Sequence, residues 1–101
     1  MLKSISKDLL MSKLGNTKGS YTMRTRSGRG YSPNQQVVTF ENGEIFYSYG
    51  SLVAAYIGGR LFLSWYHDYS ATTNRYCIAF CGLGTADRRK GLETGQIIYI
   101  E

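Results

Sequence analysis

Apolar residues recur along this chain with two different periods. Over residues 2 to 14, Leu2, Ile5, Leu9, Leu10 and Leu14 fall at helical spacing with Lys3, Lys7 and Lys13 between them, and Gly15-Asn16 supplies a stop. This predicts a short amphipathic helix within residues 1–15. With three lysines and no aromatic ring it makes a weak interfacial anchor, so it is expected to pack on the core and not on a membrane. Residues 16–36 turn to Gly, Ser, Thr, Asn and Arg, hold the only proline, Pro33, and read as one short basic strand followed by a mobile loop.

From residue 37 to 66 the period is two, which predicts two hairpins. Asn42-Gly43 separates Val37–Glu41 from Glu44–Tyr49, the pair of turn residues that a type I′ loop with two positive φ angles favours. The expected register sets Phe40 against Ile45 and Val38 against Tyr47, so that Val38, Phe40, Ile45, Tyr47 and Tyr49 share a core-facing side. Gly58-Gly59 joins Leu52–Ile57 to Arg60–Trp65 in the same way and places Leu52, Ala54, Tyr56, Leu61, Leu63 and Trp65 together. Phe46, Val53 and Phe62 fall on the opposite faces, to be covered by the N-terminal helix or buried in a homodimer.

Asp68-Tyr69-Ser70-Ala71-Thr72-Thr73 then offers N-caps for a helix over 70–83. Cys77, Phe80 and Cys81 form one stripe of that helix, and Gly82 and Gly84 end it. Residues 85–95 read as a polar loop, and 96–101 as a final β-branched strand. The elements assemble into one α+β domain: an antiparallel meander of about four to six strands, an N-terminal helix and a second helix after Thr73.

Composition narrows the class. The chain has 101 residues, 43% of them hydrophobic and 14% aromatic, which suits a folded domain with a single core and leaves no run of roughly 18 apolar residues to span a bilayer. Cys77 and Cys81, four apart on a helix, are expected as reduced thiols in a reducing compartment. Nothing at the N-terminus resembles an export signal, so a cytoplasmic location is expected. With His67 and Asp68 as the only further ligands at hand, no metal site is expected.

The segments Phe46–Gly50, Val53-Ala54, Gly59–Leu63 and above all Tyr69-Ser70-x-Thr72-Thr73 resemble a small domain of unknown function that recurs in bacteriophage proteins. In those proteins a histidine often follows the Tyr-Ser-x-Thr-Thr element where this chain has Tyr76. The resemblance implies a phage or mobile-element origin and the hairpin-then-helix arrangement, and it carries no activity.

Candidate chemistry is sparse. His67-Asp68 beside Ser70, Thr72 and Thr73 has the residue types of a nucleophilic triad, but adjacent residues rarely take that geometry, and Asp68 or Ser70 is expected to cap the helix instead. Gly28-Arg29-Gly30 and Gly82-Leu83-Gly84 lack the flanking strand, helix and Lys-Ser/Thr of a phosphate loop, so no nucleotide cofactor is expected. Charge says more. The formal net charge is +5, and residues 1–35 hold seven cations against Asp8 alone.

Within that segment Arg24, Arg26 and Arg29 are expected to meet phosphates, with Tyr21 or Tyr31 as a ring on which a base stacks. Arg88, Arg89 and Lys90 form a candidate second basic patch. A charged patch also speeds capture of an acidic protein. The expectation is therefore a non-enzymatic phage-encoded binding protein, acting in the host cytoplasm, that inhibits or redirects a host nucleoprotein complex of the CRISPR or another defence type by occlusion. The alternative is a direct nucleic-acid-binding regulator or accessory protein. Expected partners are a host protein or protein–nucleic acid complex, with nucleic acid contact and homodimerisation as open alternatives.

Overall fold

The structure, a computed structural model, describes residues 2–25 and 27–101. Its elements in chain order are β1 (Ser4–Ile5), α1 (Lys7–Leu14), β2 (Thr17–Arg24), β3 (Tyr31–Phe40), β4 (Gly43–Ser48), β5 (Ser51–Ile57), β6 (Arg60–Leu63), a 3₁₀ turn (Trp65–Asp68), α2 (Ala71–Cys81), α3 (Thr85–Thr94) and β7 (Ile98–Ile100). The strands form one seven-stranded sheet in the order β1-β7-β6-β5-β4-β3-β2. Strands β2 to β6 make the expected antiparallel meander, and the parallel neighbours β6, β7 and β1 turn the sheet into a mixed one.

The N-terminal helix is shorter than its pattern. Ser6 caps it by accepting from the Leu9 amide at 3.2 Å, and the residues before it are drawn into β1, where the Lys3 and Ile5 carbonyls accept from the amides of Tyr99 and Glu101. The helical pattern takes in Ile5 because a two-residue strand is too short to show a period of its own.

The first hairpin slips by two residues from the expected register, with Phe40 opposite Gly43 and Val38 opposite Ile45. Its turn is Glu41-Asn42, and neither Asn42 nor Gly43 has a positive φ. Two competing interactions explain this. The Glu41 and Asn42 amides donate to the Asn16 and Leu14 carbonyls, and the Asn42 side chain donates to the Lys13 carbonyl, so the turn caps the end of α1. Gly43 is needed in the strand instead, where a Cβ would overlap the Tyr56 carbonyl oxygen. A slip of two leaves each side chain on its face. The second hairpin has the expected form, with φ of 58° and 78° at Gly58 and Gly59 and Ile57 opposite Arg60.

Between β4 and β5 a register shift at Phe46/Tyr47 leaves Val53 as an extra residue. This bulge sends Val53 and Ala54 together to one face, while Leu52 joins Ile45 on the other. Of the two predicted core rows, Phe40, Ile45 and Tyr47 lie on one side of the sheet and Ala54, Tyr56, Leu61 and Leu63 on the other, and Leu52 leaves its own row to join the first. Ile45, Leu52, Ala55 and Phe62 pack with Leu10 and Leu14 of α1, whereas Val37, Phe46, Val53, Ala54, Leu61 and Leu63 pack with Tyr76 and Cys77 of α2. Phe46, Val53 and Phe62, the rings and branch that suggested a homodimer face, are covered within the chain.

Helix α2 is the second predicted helix. Ser70 caps its first turn by accepting from the Thr73 amide at 3.1 Å, Gly82 ends it in the left-handed conformation, and Phe80 stacks on Phe46 at 5.7 Å. Residues 85–95, expected as a loop, form α3. Among the described residues no helix is long and apolar enough to cross a membrane.

Candidate functional site

The basic segment forms the outer hairpin of the sheet. β2 and β3 pair from Thr17/Phe40 out to Arg24/Tyr31, so residues 31–36, expected as mobile loop, are the first part of a strand. The tip closes through the Thr25 amide on the Gly30 carbonyl and the Gly28 amide on the Thr25 carbonyl, both at 2.9 Å, with Gly28 at φ 74°. Inside this frame Arg24 donates to the Gly28 carbonyl at 3.2 Å, and its guanidinium carbon lies 5.1 Å from the centre of the Tyr31 ring. These two interactions fix a guanidinium beside a tyrosine ring that is 61% exposed.

Tyr21 is exposed two pairs further in, and Arg29 is exposed at the tip. Arg26 lies outside the described residues. Tyr21, Thr22, Met23, Arg24 and Tyr31 line one shallow depression with Ala79 of α2, so the structure brings Tyr21, Arg24 and Tyr31 together.

The second basic group is different in kind. Arg88 is not on the surface: it is 0% exposed and donates to the His67 carbonyl at 3.3 Å, to the Asn74 side-chain oxygen and to the Thr85 hydroxyl at 3.0 Å. Arg89 is paired with Asp68 at 2.7 Å, and only Lys90 of the three is exposed without a salt bridge among the described residues. α3 packs beside β7, which four strands separate from β2. The two basic groups therefore do not form one surface.

His67 is buried. Its Nε2 stands 4.0 Å from Asp68, beyond hydrogen-bond distance, and its Nδ1 has no partner among the described residues. Burial pushes its pKa below the usual histidine value, with Arg88 and Arg89 acting in the same sense and Asp68 against them. The hydrogen bond from Arg89 holds Asp68 below the ordinary carboxylate range. Among the described residues no three His, Cys, Asp or Glu side chains converge. In α2 Cys77 and Cys81 are free thiols, one buried and one half-buried. The neighbouring thiols interact so that Cys81 is drawn down and Cys77, buried as well, is pushed up, and the Cys81 thiol donates to the Leu83 carbonyl at 3.7 Å.

One cluster was not legible in the sequence. Trp65, expected in a core strand, lies in the 3₁₀ turn with its ring 4.1 Å from Tyr66 and 5.4 Å from Tyr69. Tyr49, also expected in the core, sits in the β4–β5 turn and is 62% exposed. Tyr49, Tyr66 and Tyr69 line a cavity of about 390 Å³ whose remaining wall includes Ser48, Ser51, Val53, Ser70, Thr72 and Thr73. The Tyr-Ser-x-Thr-Thr element thus caps a helix and lines a cavity at once. A run of aromatic residues at a strand end was the only signal for it.

Fold and surface together define a small α+β domain that presents a basic, aromatic hairpin at one edge of its sheet. The chain belongs to the family of unknown function DUF8033, whose model matches residues 15–97, from the turn after α1 to the residue before β7. No curated protein and no solved structure matches it.

Proposed function

We propose that this chain is a non-enzymatic binding protein of phage origin that occludes a host nucleoprotein complex, of the CRISPR or another defence type, in the host cytoplasm. The observation that carries this reading is the Arg24–Tyr31 pair, held on an exposed edge hairpin with Arg29 and Tyr21 beside it. A guanidinium and a ring fixed by a backbone frame need little ordering on meeting phosphate and base, or the mixed surface of a protein–nucleic acid complex. The outer edge of β2 also offers backbone donors and acceptors to a partner strand. Phage origin rests on the Tyr-Ser-x-Thr-Thr resemblance.

The flat ring-and-guanidinium face favours a second reading, direct binding of nucleic acid as a regulator or accessory protein. Affinity capture from bacterial lysate, with and without nuclease, separates the two. A dominant complex that survives nuclease supports occlusion. Partners that vanish with nuclease support direct binding, and a capture that the Arg24→Ala/Arg29→Ala variant leaves unchanged removes the hairpin from both.

A further inference from the structure

Tyr49 holds a conformation that its side chain does not favour. Its φ is 52°, the only positive value among the described non-glycine residues, in a tight turn followed by Gly50 at 80°. Asparagine or glycine takes that position at lower cost, and a bulky residue there stores strain. Burial does not offset the strain, since the side chain is largely exposed. The ring's contribution therefore lies in what it lines: the cavity shared with Tyr66 and Tyr69.

The cavity's chemistry limits its occupant. Its wall is three tyrosines, Val53 and five serine and threonine residues, with no charged side chain, and the Ser48, Ser70 and Thr73 hydroxyls bond to one another. The group that enters is neutral and presents a flat face to the rings. The surroundings limit it further. The Tyr49 amide donates to the Asn34 carbonyl at 2.8 Å, which ties the turn to the strand that begins at Tyr31. Tyr31 is three residues from Asn34, a reach of at most about 10 Å, and the ladder is irregular between them.

The cavity and the Arg24–Tyr31 pair are thus neighbours at one end of the sheet, in a chain whose net charge is +5. A polyanion that carries neutral aromatic rings satisfies both. We propose that the cavity between Tyr49, Tyr66 and Tyr69 receives one unstacked base of a single-stranded nucleic acid whose backbone runs on to Arg24 and Arg29. This rests on the reading that the hairpin meets nucleic acid, and it adds the form of that nucleic acid, single-stranded with a base turned out.

Trp65 is the only tryptophan and its ring lies 4.1 Å from that of Tyr66, which lines the cavity, so its fluorescence reports on the cavity through Tyr66. The test titrates the full chain at low salt with thymidine and uridine octamers and with an abasic backbone of equal length. Both octamers are expected to change Trp65 emission, and the abasic strand to bind more weakly while keeping its salt dependence. Tyr49→Asn is expected to weaken octamer binding about 5- to 150-fold, the range for one stacked base, with an unfolding midpoint equal to or above that of the parent. Tyr69→Ala should act in the same direction. A preference for thymidine or uridine identifies DNA or RNA.

Equal binding of abasic and base-bearing strands, with Tyr49→Asn silent and Arg24→Ala/Arg29→Ala weakened, overturns the base site and leaves the hairpin reading intact. Absence of any octamer binding also overturns it, and occlusion of a protein complex then stands or falls on the nuclease-treated capture. Loss of a nuclease-resistant protein partner by Tyr49→Asn, without octamer binding by the parent, reassigns the cavity to a protein interface and overturns the proposal.

Discussion

Arg24 and Tyr31 face each other across the outermost pair of the β2–β3 ladder, with the guanidinium carbon 5.1 Å from the ring centre. The two residues are expected to fail differently. Each phosphate that a cation no longer neutralises takes about 0.7 to 0.9 off the slope of log affinity against log salt, so Arg24→Ala should flatten that slope. Tyr31→Leu should lower affinity for a nucleic-acid or nucleoprotein partner and leave the slope in place. Binding measured between about 50 and 200 mM salt checks both; an unchanged slope in Arg24→Ala means that Arg24 meets no phosphate.

Arg88 carries a charge into the interior without a carboxylate partner among the described residues, and its Nε is unsatisfied there. Its remaining donors connect three segments: the 3₁₀ turn through His67, α2 through Asn74 and the start of α3 through Thr85. Truncation removes the donor from the His67 carbonyl, leaves the Asn74 oxygen only the Thr85 hydroxyl, and opens a void. Arg88→Ala should cost about 2 to 4 kcal/mol in urea unfolding, and Arg88→Lys should recover little, because one ammonium does not reproduce a planar fork. A loss below about 0.5 kcal/mol, the level of a surface change, contradicts this role.

The same residue explains why α3 was not legible. A helix is read from an apolar stripe, and the inward positions of α3 hold Arg88 and Gly91, with Gly91 set closely against Ile97 and only Leu92 contributing apolar bulk. Gly58-Gly59 and the Ser70 cap were legible because local backbone chemistry decides them. Gly43 was misread because a neighbour distant in sequence, the Tyr56 carbonyl, decides its place. Of the site, the sequence indicated Tyr21, Arg24, Arg29 and Tyr31. The Tyr49–Tyr66–Tyr69 cavity was hidden because a period of two runs Tyr49 and Trp65 into strands. Ser64 ends β6 before Trp65, donating to the Leu52 carbonyl at 2.5 Å and accepting from the Tyr66 amide at 3.3 Å.

His67 gives the fold a defined response to acid. Its pKa in the folded state is lowered from 6.5, chiefly by burial, so below that value the unfolded chain binds the proton more readily. The stabilising contribution is complete above about 6.5 and is lost as pH falls toward the folded-state value. Asp68 acts in the same sense at lower pH, since its pKa is held below 3.8 by Arg89. Urea midpoints measured from pH 7.5 to 4.5 should fall on acidification, and His67→Gln should flatten the part of that fall nearest pH 6.5. An equal fall in the variant assigns the acid response to other groups.

Cys77 and Cys81 should differ in reactivity although one helical turn separates them. Cys77 is buried at 0% exposure, and the interaction between the two neighbouring thiols favours thiolate on Cys81 and opposes it on Cys77. Cys81 is half-buried, and Arg88 adds favourable charge. Limited alkylation with iodoacetamide at pH 7, read by peptide mass, should label Cys81 before Cys77, with a midpoint in its rate below the pKa of about 8.5 of an unperturbed thiol. Removing the neighbouring thiol in Cys77→Ala should move that midpoint upward. Equal labelling of the two thiols, or a midpoint that ignores the loss of Cys77, means that Cys77 does not set the charge on Cys81.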